Sequence, residues 1–558
     1  MRAKQKVRQL AQDTFGYESL RPGQETAIQS VLNGCDTLVV MPTGSGKSAI
    51  YQIAGQFIPG PTVVVSPMIA LQRDQVQSIE QQDAGGAVLV NSTIGADERE
   101  DTLRRVKAGE VEFLFLAPEQ FNREDALDSL RAAKPSLFVI DEAHCISEWG
   151  HDFRPDYLKL GGVIEALGHP TILALTATAS PLVRDEIISR LEMRNPHVVV
   201  QGFNRPNIWM GVERYDDAVS KKRALLERVE QAEKPGIIYA ATRKHAEQIA
   251  AELRERDVRA VAYHAGMKSQ EREQVQESFM TAEGDAEVIV ATTAFGMGVD
   301  KPNVRFVFHY DISDSVDAYY QEIGRGGRDG EPAKAVLFYR PEDLGVQKFL
   351  TGSGQMEAAQ VERVAELVTR HDGPVEFGAL LEESRLSQSH LTTALMRLED
   401  IGVVESLSTG ELVSNPEFES GSSALVEAAQ EAVRAHGEHK EFQKSRLEMM
   451  RGYAELRNCR RDYLLNYFGE DIASPCGYCD NCDAGLSSIE IAEQSANDGE
   501  QPFPLNSQVS HKSWGDGTVM RYDNDKIVVL FETVGYKTLA LDFATQNHLL
   551  QPTLPVQG

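Results

Sequence analysis

The sequence predicts an α/β protein of two tandem lobes followed by smaller helical and β units, and three observations carry that prediction. Short apolar, β-branched runs alternate with helix-compatible stretches, first from Asp36 to about Ala143 and again from Lys234 onward, the rhythm of strand–crossover–strand units in a parallel sheet. A glycine-rich loop, PTGSGKS at 42–48, follows the first of these strands and opens a helix. The later block has no second loop of this kind, but it carries a glycine- and arginine-rich stretch of its own, QEIGRGGRDG at 321–330.

The chain's 558 residues allow three or more domains, each with its own core. At 42% hydrophobic and 25% charged, the composition is that of an ordinary globular protein. No apolar run reaches the length of a membrane span, and the basic start MRAKQKVRQL lacks the apolar segment of a signal peptide. A soluble, cytoplasmic protein with no membrane partner is expected, nucleoid-associated if the source is bacterial. The net charge of −28 counts against a polyanionic partner. It is unevenly spread: Lys440–Arg461 holds seven basic residues against three acidic, while Ser487–Pro504 holds four acidic and no basic residue. Local basic grooves on an acidic body are the expectation, with a grip on nucleic acid that salt weakens readily.

In the first lobe, Asp36-TLVVM reads as a strand and Ala49–Gln56 as the following helix. Gly44 and Gly46 let the backbone between them curl so that its N–H groups face phosphates; Thr43 and Ser45 complete the turn, Lys47 supplies charge and Ser48 a hydroxyl for magnesium. Met41 stands where the general phosphate-loop pattern has its first glycine, which points to a shorter turn. A second strand, Ser136-LFVI, ends in Asp141-Glu142-Ala143-His144. Acids at the tip of a buried strand are costly unless a cation or water uses them. Asp141 is placed to hold the magnesium shell and Glu142 to activate a water. ATP with Mg²⁺ is the expected cofactor.

The second lobe shows strands Gly236-IIYA and Glu287-VIVAT with a helix at Lys244–Glu255 between them. Arg325 and Arg328, three apart among glycines and downstream of Gln321, suit a γ-phosphate sensor and an arginine finger reaching across to the first lobe.

These stretches together resemble the RecQ family of superfamily 2 helicases, densely from about Phe15 to Arg340. The resemblance implies two RecA-like lobes. Phe15-Gly16-Tyr17 with Arg21-Pro22-Gly23-Gln24 looks like the family's adenine-recognition segment, Tyr17 stacking on the base and Arg21 and Gln24 reading its edge. SPMIALQRDQ at 66–75 resembles a DNA-contacting motif, and LTATA at 175–179, with Thr176 and Thr178, the motif that couples the lobes. DEAHCISEWGHDFRPDY at 141–157 resembles the family's aromatic-rich loop, which implies that His144, Trp149, Phe153 and Arg154 sense single-stranded DNA. Glu148 stands where the family commonly has Gln. VIVATTAFGMGVDKPNVRFVFHYD at 288–311 is similarly close to the family's next motif. Thr242 and Arg243, in the stretch from Tyr239, are expected to contact DNA phosphates. The polarity implied is 3′→5′, with roles in DNA repair and recombination.

Four cysteines cluster, sixteen residues separating Cys459 from Cys476 and two lying in each later gap, to Cys479 and Cys482. Such a knuckle converges on one structural Zn²⁺, and CRRDYLLNYFGED again resembles the RecQ zinc platform. Order departs from the family before it. A helix at Glu357–Arg370, a short one at Phe377–Glu383, a helix capped by Ser387 and a hairpin read as a winged-helix-like segment, acid-rich at Glu405, Glu411, Glu417 and Glu419. Beyond an acidic linker, alternating residues from Gln508 with Asp-Gly and Asn-Asp turns predict a small β-barrel, similar to the Tudor-like C-terminal module of UvrD-type helicases. The expected division is thus lobe 1 at 1–204, lobe 2 at 205–345, the winged-helix-like segment at 346–440, a helical zinc platform at 441–486, the linker at 487–504 and the SH3/Tudor-like barrel at 505–558. A monomer acting on single-stranded and tailed duplex DNA is expected, with RNA polymerase or a repair protein as a candidate partner of the barrel. Two other readings fit the motor core, an RNA-remodelling ATPase and an ATP-gated adaptor or translocase with weak unwinding. The aromatic-rich loop and zinc platform favour DNA.

Overall fold

The computed structural model describes the chain apart from residues 1, 83, 92–94, 123, 148–151, 282–283, 297–300, 353–356, 372, 407–410, 416–417, 419–420, 471–474, 488–501, 505–506, 524–525, 532 and 554–558. Glu148 and Trp149, Glu417 and Glu419, and most of the acidic linker lie outside the described residues. Among the described residues no helix is long and apolar enough to cross a membrane.

Lobe 1 is a seven-stranded parallel sheet. Its strands are β1 (Thr37–Val40), β2 (Thr62–Val65), β3 (Ala87–Val90), β4 (Phe113–Leu116), β5 (Leu137–Ile140), β6 (Thr171–Thr176) and β7 (His197–Val200), in the order β3-β4-β2-β5-β6-β1-β7. β1, β2, β4 and β5 are buried along their whole length. Helices cover both faces of a parallel sheet, so such strands read as unbroken apolar runs rather than alternating ones. Lobe 2 repeats the plan with β8 (Ile208–Arg214), β9 (Gly236–Tyr239), β10 (Ala260–Tyr263), β11 (Val288–Ala291), β12 (Phe306–His309) and β13 (Ala333–Tyr339), ordered β10-β11-β9-β12-β13-β8. The helices expected after β1 and β9 are present at Lys47–Gly55 and Arg243–Arg254.

The next unit has helices Ala358–Arg370, Phe377–Ser384 and Gln388–Asp400 and a hairpin of β14 (Val404–Ser406) and β15 (Leu412–Ser414). Ser387 caps the third helix, its hydroxyl accepting the His390 N–H at 3.3 Å. The core of this unit, from Val361 to Leu412, is completed by Leu425, Ala428, Ala429 and Ala432. Those four belong to a single 34-residue helix, Ser422–Glu455. Its far half contributes Phe442, Leu447, Met450 and Tyr453 to the core shared by lobe 2 and the cysteine segment. One helix therefore crosses the expected boundary at 440, because each of its halves buries an apolar face against a different neighbour.

Three of the seven basic residues in Lys440–Arg461 are spent within the molecule, which narrows the expectation of a basic groove there. Arg446, Arg460 and Arg461 are each no more than 3% exposed. Arg446 lies 3.5 Å from the Asp317 carboxylate, Arg460 pairs with Asp480 at 2.5 Å, and Arg461 donates to the carbonyls of Arg205 and Ile208. Lys444 and Arg451 pair with glutamates of their own helix. Removing one partner of a buried pair typically costs about 3–5 kcal/mol, so these arginines are held by folding rather than free for phosphates.

The C-terminal unit is a five-stranded antiparallel sheet of β16 (Gln508–His511), β17 (Gly515–Asp523), β18 (Lys526–Phe531), β19 (Gly535–Ala540) and β20 (Leu550–Pro552), ordered β19-β18-β17-β16-β20. One face packs Val509, Val519, Ile527, Val529 and Phe531 into a core of its own. From the other, Met520, Val528 and Leu530 join the core of the helical platform, and the Arg521 guanidinium lies 3.8 Å from the centre of the Tyr463 ring.

Candidate functional site

In lobe 1, β6 lies between β1 and β5, with Val40 opposite Thr176 and Ile140 opposite Ala174. Because all three strands are parallel, the loop after β1, Asp141–Glu142 after β5 and Thr176–Thr178 at the end of β6 emerge at one edge, where ligands of open α/β sheets bind. Gly44 and Gly46 hold left-handed backbone at φ 77° and 78°, which glycine alone adopts readily. Lys47, the first residue of the following helix, donates to the carbonyls of Met41 at 3.0 Å and Pro42 at 3.4 Å. Burial lowers its pKa, while Glu142 and Asp141 raise it. Burial, reinforced by the charge of Glu142, pushes the Asp141 carboxyl up to about 7 against the pull of Lys47.

Glu142 sits at φ 49°, a strained setting for a residue with a Cβ. Its Oε2 is buried without a hydrogen bond, 3.4 Å from His144 Nδ1. That ring nitrogen is 2.9 Å from Thr176 Oγ1, and the Thr176 hydroxyl donates to the Thr178 carbonyl at 3.1 Å. A poised carboxylate, a histidine and the end of β6 are thus in contact, which sequence spacing does not reveal.

The residues expected to recognise adenine meet the phosphate loop directly. The Gln24 amide donates to Ser45 O at 3.0 Å and Gly46 O at 2.9 Å, and its oxygen accepts the Arg21 N–H at 2.7 Å. Arg21 donates to the Gly44 carbonyl. Tyr17 is exposed on the rim and parallel to the Phe15 ring at 6.0 Å.

Lobe 2 closes the cleft with Arg328, whose Cγ, Cδ and Nε lie 3.3, 3.4 and 3.6 Å from where a Cβ on Gly44 would stand. Any side chain at Gly44 would displace that arginine. Arg328 lines a cavity of about 670 Å³ with Arg21, Thr43, Gly44, Ser45 and Arg205. Arg325 does not share this position. It is 2% exposed, hydrogen-bonds with Tyr239 of lobe 2, whose hydroxyl Arg328 also influences, and does not line the cavity. Gln321 is also buried. Ser48 is half-buried at the start of its helix.

The residues that join the lobes were not foreseen. Arg205 donates to the carbonyls of Gly324, Gly326 and Gly327 at 3.0, 2.8 and 3.0 Å, and Asn207 to Gly327 O at 2.7 Å. Phe203 stacks on Phe468 at 4.6 Å and 7°, and its N–H donates to Glu470. The polar, proline-containing stretch Phe203-NRPN was the available signal; its partners lie far away in sequence.

In the stretch expected to sense DNA, Arg154 Nη1 donates to Pro67 O at 3.1 Å and its Nε to Asp152 at 3.2 Å. The Cys145 thiol donates to the same Asp152 oxygen at 3.6 Å and lies 3.9 Å from His144 Nε2. Tyr157 donates to Asp141 O at 3.1 Å. The loop is therefore tied at both ends to the acidic pair; Phe153 is half-buried, and Trp149 lies outside the described residues. The Thr242 hydroxyl caps its helix by accepting the His245 N–H at 3.1 Å, and Arg243 is exposed beside Gly266.

Cys459, Cys476, Cys479 and Cys482 bring their sulfurs within 4.8 Å of one another, with Cys476 and Cys482 at 3.9 Å. A tetrahedron of Zn–S bonds has edges of about 3.8 Å, so the donor set fits zinc. Cys479 forms a bridge to Met210 of the edge strand β8, Asp480 accepts the Val212 N–H at 2.9 Å, and Trp209 donates to Asp483 at 2.8 Å. The knuckle thereby covers an otherwise open sheet edge.

The family model of DEAD/DEAH box helicases matches residues 21–186, that of the helicase conserved C-terminal domain residues 220–330, and that of RecQ zinc-binding residues 422–483. The last match begins at the first residue of the long helix and includes all four cysteines. The chain is 41% identical over 364 residues to "Probable ATP-dependent DNA helicase RecS" of Bacillus subtilis (strain 168), covering 65% of this chain and 72% of that one. It is 37% identical over 471 residues to "ATP-dependent DNA helicase RecQ" of Pasteurella multocida (strain Pm70), covering 84% of this chain and 61% of that one. Among solved structures, the DUF1998 helicase MrfA bound to DNA shares the fold at TM-score 0.52 and 16% identity, over 74% of this chain and 62% of that one. With two helicase lobes meeting over one nucleotide cleft, a four-cysteine zinc platform and RecS-like sequence across most of RecS, the chain belongs to the RecQ-like family of superfamily 2 ATP-dependent DNA helicases.

Proposed function

We propose that the protein couples ATP hydrolysis to 3′→5′ movement on single-stranded DNA and separates duplexes during DNA repair and recombination. The observation that carries this reading is the placement of Arg328 from lobe 2 over Gly44 of the phosphate loop in lobe 1, in a chain whose relatives are DNA helicases. Mg²⁺ bound with ATP would neutralise phosphate charge, and Ser48 and Asp141 are the residues to hold its shell. Lys47 and the loop N–H groups bind the phosphates, Arg21 and Gln24 brace the loop beside Tyr17 and the base, and Glu142 takes the proton of the attacking water. Arg328 stabilises the transition state across the cleft. His144, linked to both Glu142 and Thr176, transmits the state of the aromatic-rich loop. Strand displacement on 3′- and 5′-tailed duplexes tests the proposal, with ATPase rates compared in single-stranded DNA and RNA. Stimulation by RNA alone would overturn it.

The three helices with the β14–β15 hairpin support a winged-helix reading, and the C-terminal sheet a Tudor-like one. With both faces of that sheet covered, a protein partner would meet the helix Leu541–Gln546, where Phe543 is 60% exposed.

Lys47→Ala is expected to weaken ATP binding, whereas Glu142→Gln keeps ATP bound and lowers turnover by about 10²–10⁴-fold, the range for loss of a general base. Equilibrium binding and single-turnover hydrolysis separate the two. Near-normal turnover in the Glu142 variant would remove the proposed role.

Phe153→Ala is expected to remove most of the stimulation by single-stranded DNA while basal hydrolysis persists, since one base–aromatic stack is worth about 1–3 kcal/mol. ATPase rates with and without DNA, alongside melting temperature, check this. A proportional fall in both rates with a lowered melting point would mean that Phe153 only packs.

A further inference from the structure

The helix Arg460–Tyr467 of the zinc platform ends in a glycine turn. The Gly469 N–H donates to Asn466 O at 3.0 Å and the Glu470 N–H to Leu465 O at 2.9 Å, with Gly469 at φ 76°. This paired closure, with glycine in the left-handed region, fixes the direction in which the chain leaves the helix. Phe468 is tied down too: its ring stacks on Phe203, and its carbonyl accepts Nη2 of Arg184 from lobe 1 at 2.6 Å. Glu470 therefore leaves a braced turn, and its Oε2 accepts the Phe203 N–H at 2.9 Å.

That bond brings an acid of the zinc platform to the nucleotide cleft. Glu470 lines the cavity of about 670 Å³, the one acidic residue to do so among the described residues. Arg21, Arg205 and Arg328 line the same space, yet none of them pairs with it. The Phe203 N–H is its one bonding partner among the described residues, and burial raises its carboxyl pKa against that bond. Oε1 is left to accept a donor from whatever fills the cavity. The other polar groups on this wall are spent, Asn207 on the carbonyls of Gly327 and Glu331 and Arg205 on three carbonyls of the glycine turn.

Charge and neighbours say which part of a nucleotide meets this acid. Phosphates repel a carboxylate and belong at Gly44–Lys47 and Arg328. The base is expected at Tyr17 and Arg21, on the rim. Glu470 instead adjoins the segment that leaves β7: the Gln201 N–H donates to Val40 O at 3.1 Å, and a Cβ on Gly202 would stand 3.6 Å from Pro42 Cδ. The sugar remains, and its hydroxyls are donors that a carboxylate accepts well.

We propose that Glu470 recognises the ribose of ATP, its second oxygen accepting a hydrogen bond from a sugar hydroxyl, so that the zinc platform takes part directly in nucleotide selection. This rests on the ATP-driven reading above.

The test uses the full zinc-loaded chain, with ATP, 2′-deoxy-ATP, 3′-deoxy-ATP and inosine triphosphate as substrates for DNA-stimulated hydrolysis. Wild type is expected to favour ATP over one of the two deoxynucleotides by about tenfold in kcat/KM, the effect of one hydrogen bond to a charged group. In Glu470→Ala that preference falls to about twofold or less, because KM for ATP rises while KM for the deoxynucleotide holds its wild-type value. The preference for ATP over inosine triphosphate does not move. Glu470→Gln keeps an oxygen for the Phe203 N–H and decides the matter if the Ala protein melts lower; its sugar preference should fall by about threefold or more. Wild type that uses all three sugars alike, or a Gln variant with wild-type preference, overturns the ribose contact. Loss of the preference over inosine triphosphate would place Glu470 at the base, and an equal loss with every nucleotide would make it only an anchor for Phe203; either overturns the proposal. A wild-type protein that hydrolyses no ATP overturns the functional reading instead, and equilibrium binding of the same nucleotides still decides the contact.

Discussion

Arg328→Ala is expected to lower ATP turnover by about 10³–10⁵-fold, the loss typical of an arginine finger, while ATP and single-stranded DNA still bind. The expectation follows from where the side chain stands. Its stem packs on Gly44, where an added Cβ would stand 3.3 Å from it. The glycine turn that carries it is gripped by Arg205 and Asn207 from the segment between the lobes. The guanidinium is therefore delivered across the cleft by a braced loop, and its charge counts most when negative charge builds up in the transition state. Single-turnover hydrolysis with saturating DNA, alongside equilibrium binding of a fluorescent ATP analogue, is the measurement. A variant that loses ATP affinity and keeps its hydrolysis rate would make Arg328 a docking contact. Gly44→Ala is a complementary change, since it strains the φ of 77° and pushes on the same arginine.

Cys479→Ser is expected to remove the zinc and with it the ordered C-terminal half. Zinc bound by four thiolates contributes folding free energy on the order of 10 kcal/mol, comparable to the whole stability of a domain. Cys479 is fully buried and bridges to β8, and the adjoining Asp480 pairs with Arg460 while accepting the Val212 N–H. Arg461, next to that pair, holds Asn204, Arg205 O and Ile208 O. Loss of the knuckle thus exposes a sheet edge and frees the segment that positions Arg205. Elemental analysis should give one zinc per wild-type chain and close to none in the variant, which should be insoluble or cleaved readily by protease within residues 422–486. A zinc-free protein, purified without chelator, that melts like the zinc-bound one would refute the structural role.

The sequence by itself determined what is local. The phosphate loop declares itself because glycines at 44 and 46, a lysine and a hydroxyl must follow a buried strand within a few residues. Asp141–Glu142 is legible because acids rarely end an apolar strand without work to do. The cysteine spacing specifies a metal knuckle, and the buried four-residue parallel strands appear as unbroken apolar runs. Even the helix-and-hairpin unit after lobe 2 could be read from one serine cap and the apolar periodicity.

Only the tertiary structure decided which distant pieces meet and which charges remain free. Sheet order places the ends of β1, β5 and β6 side by side, and strand order is not written in any single strand. Arg325 and Arg328 look equivalent in the sequence, yet one is enclosed in lobe 2 and the other faces the phosphate loop. The basic run Lys440–Arg461 looks like a phosphate groove, yet Arg446, Arg460 and Arg461 are consumed by Asp317, Asp480 and backbone carbonyls. The physical reason is the same in each case. Periodicity and spacing report which side of an element is apolar, whereas the partner that satisfies a buried charge or an open strand edge is chosen by contacts hundreds of residues apart.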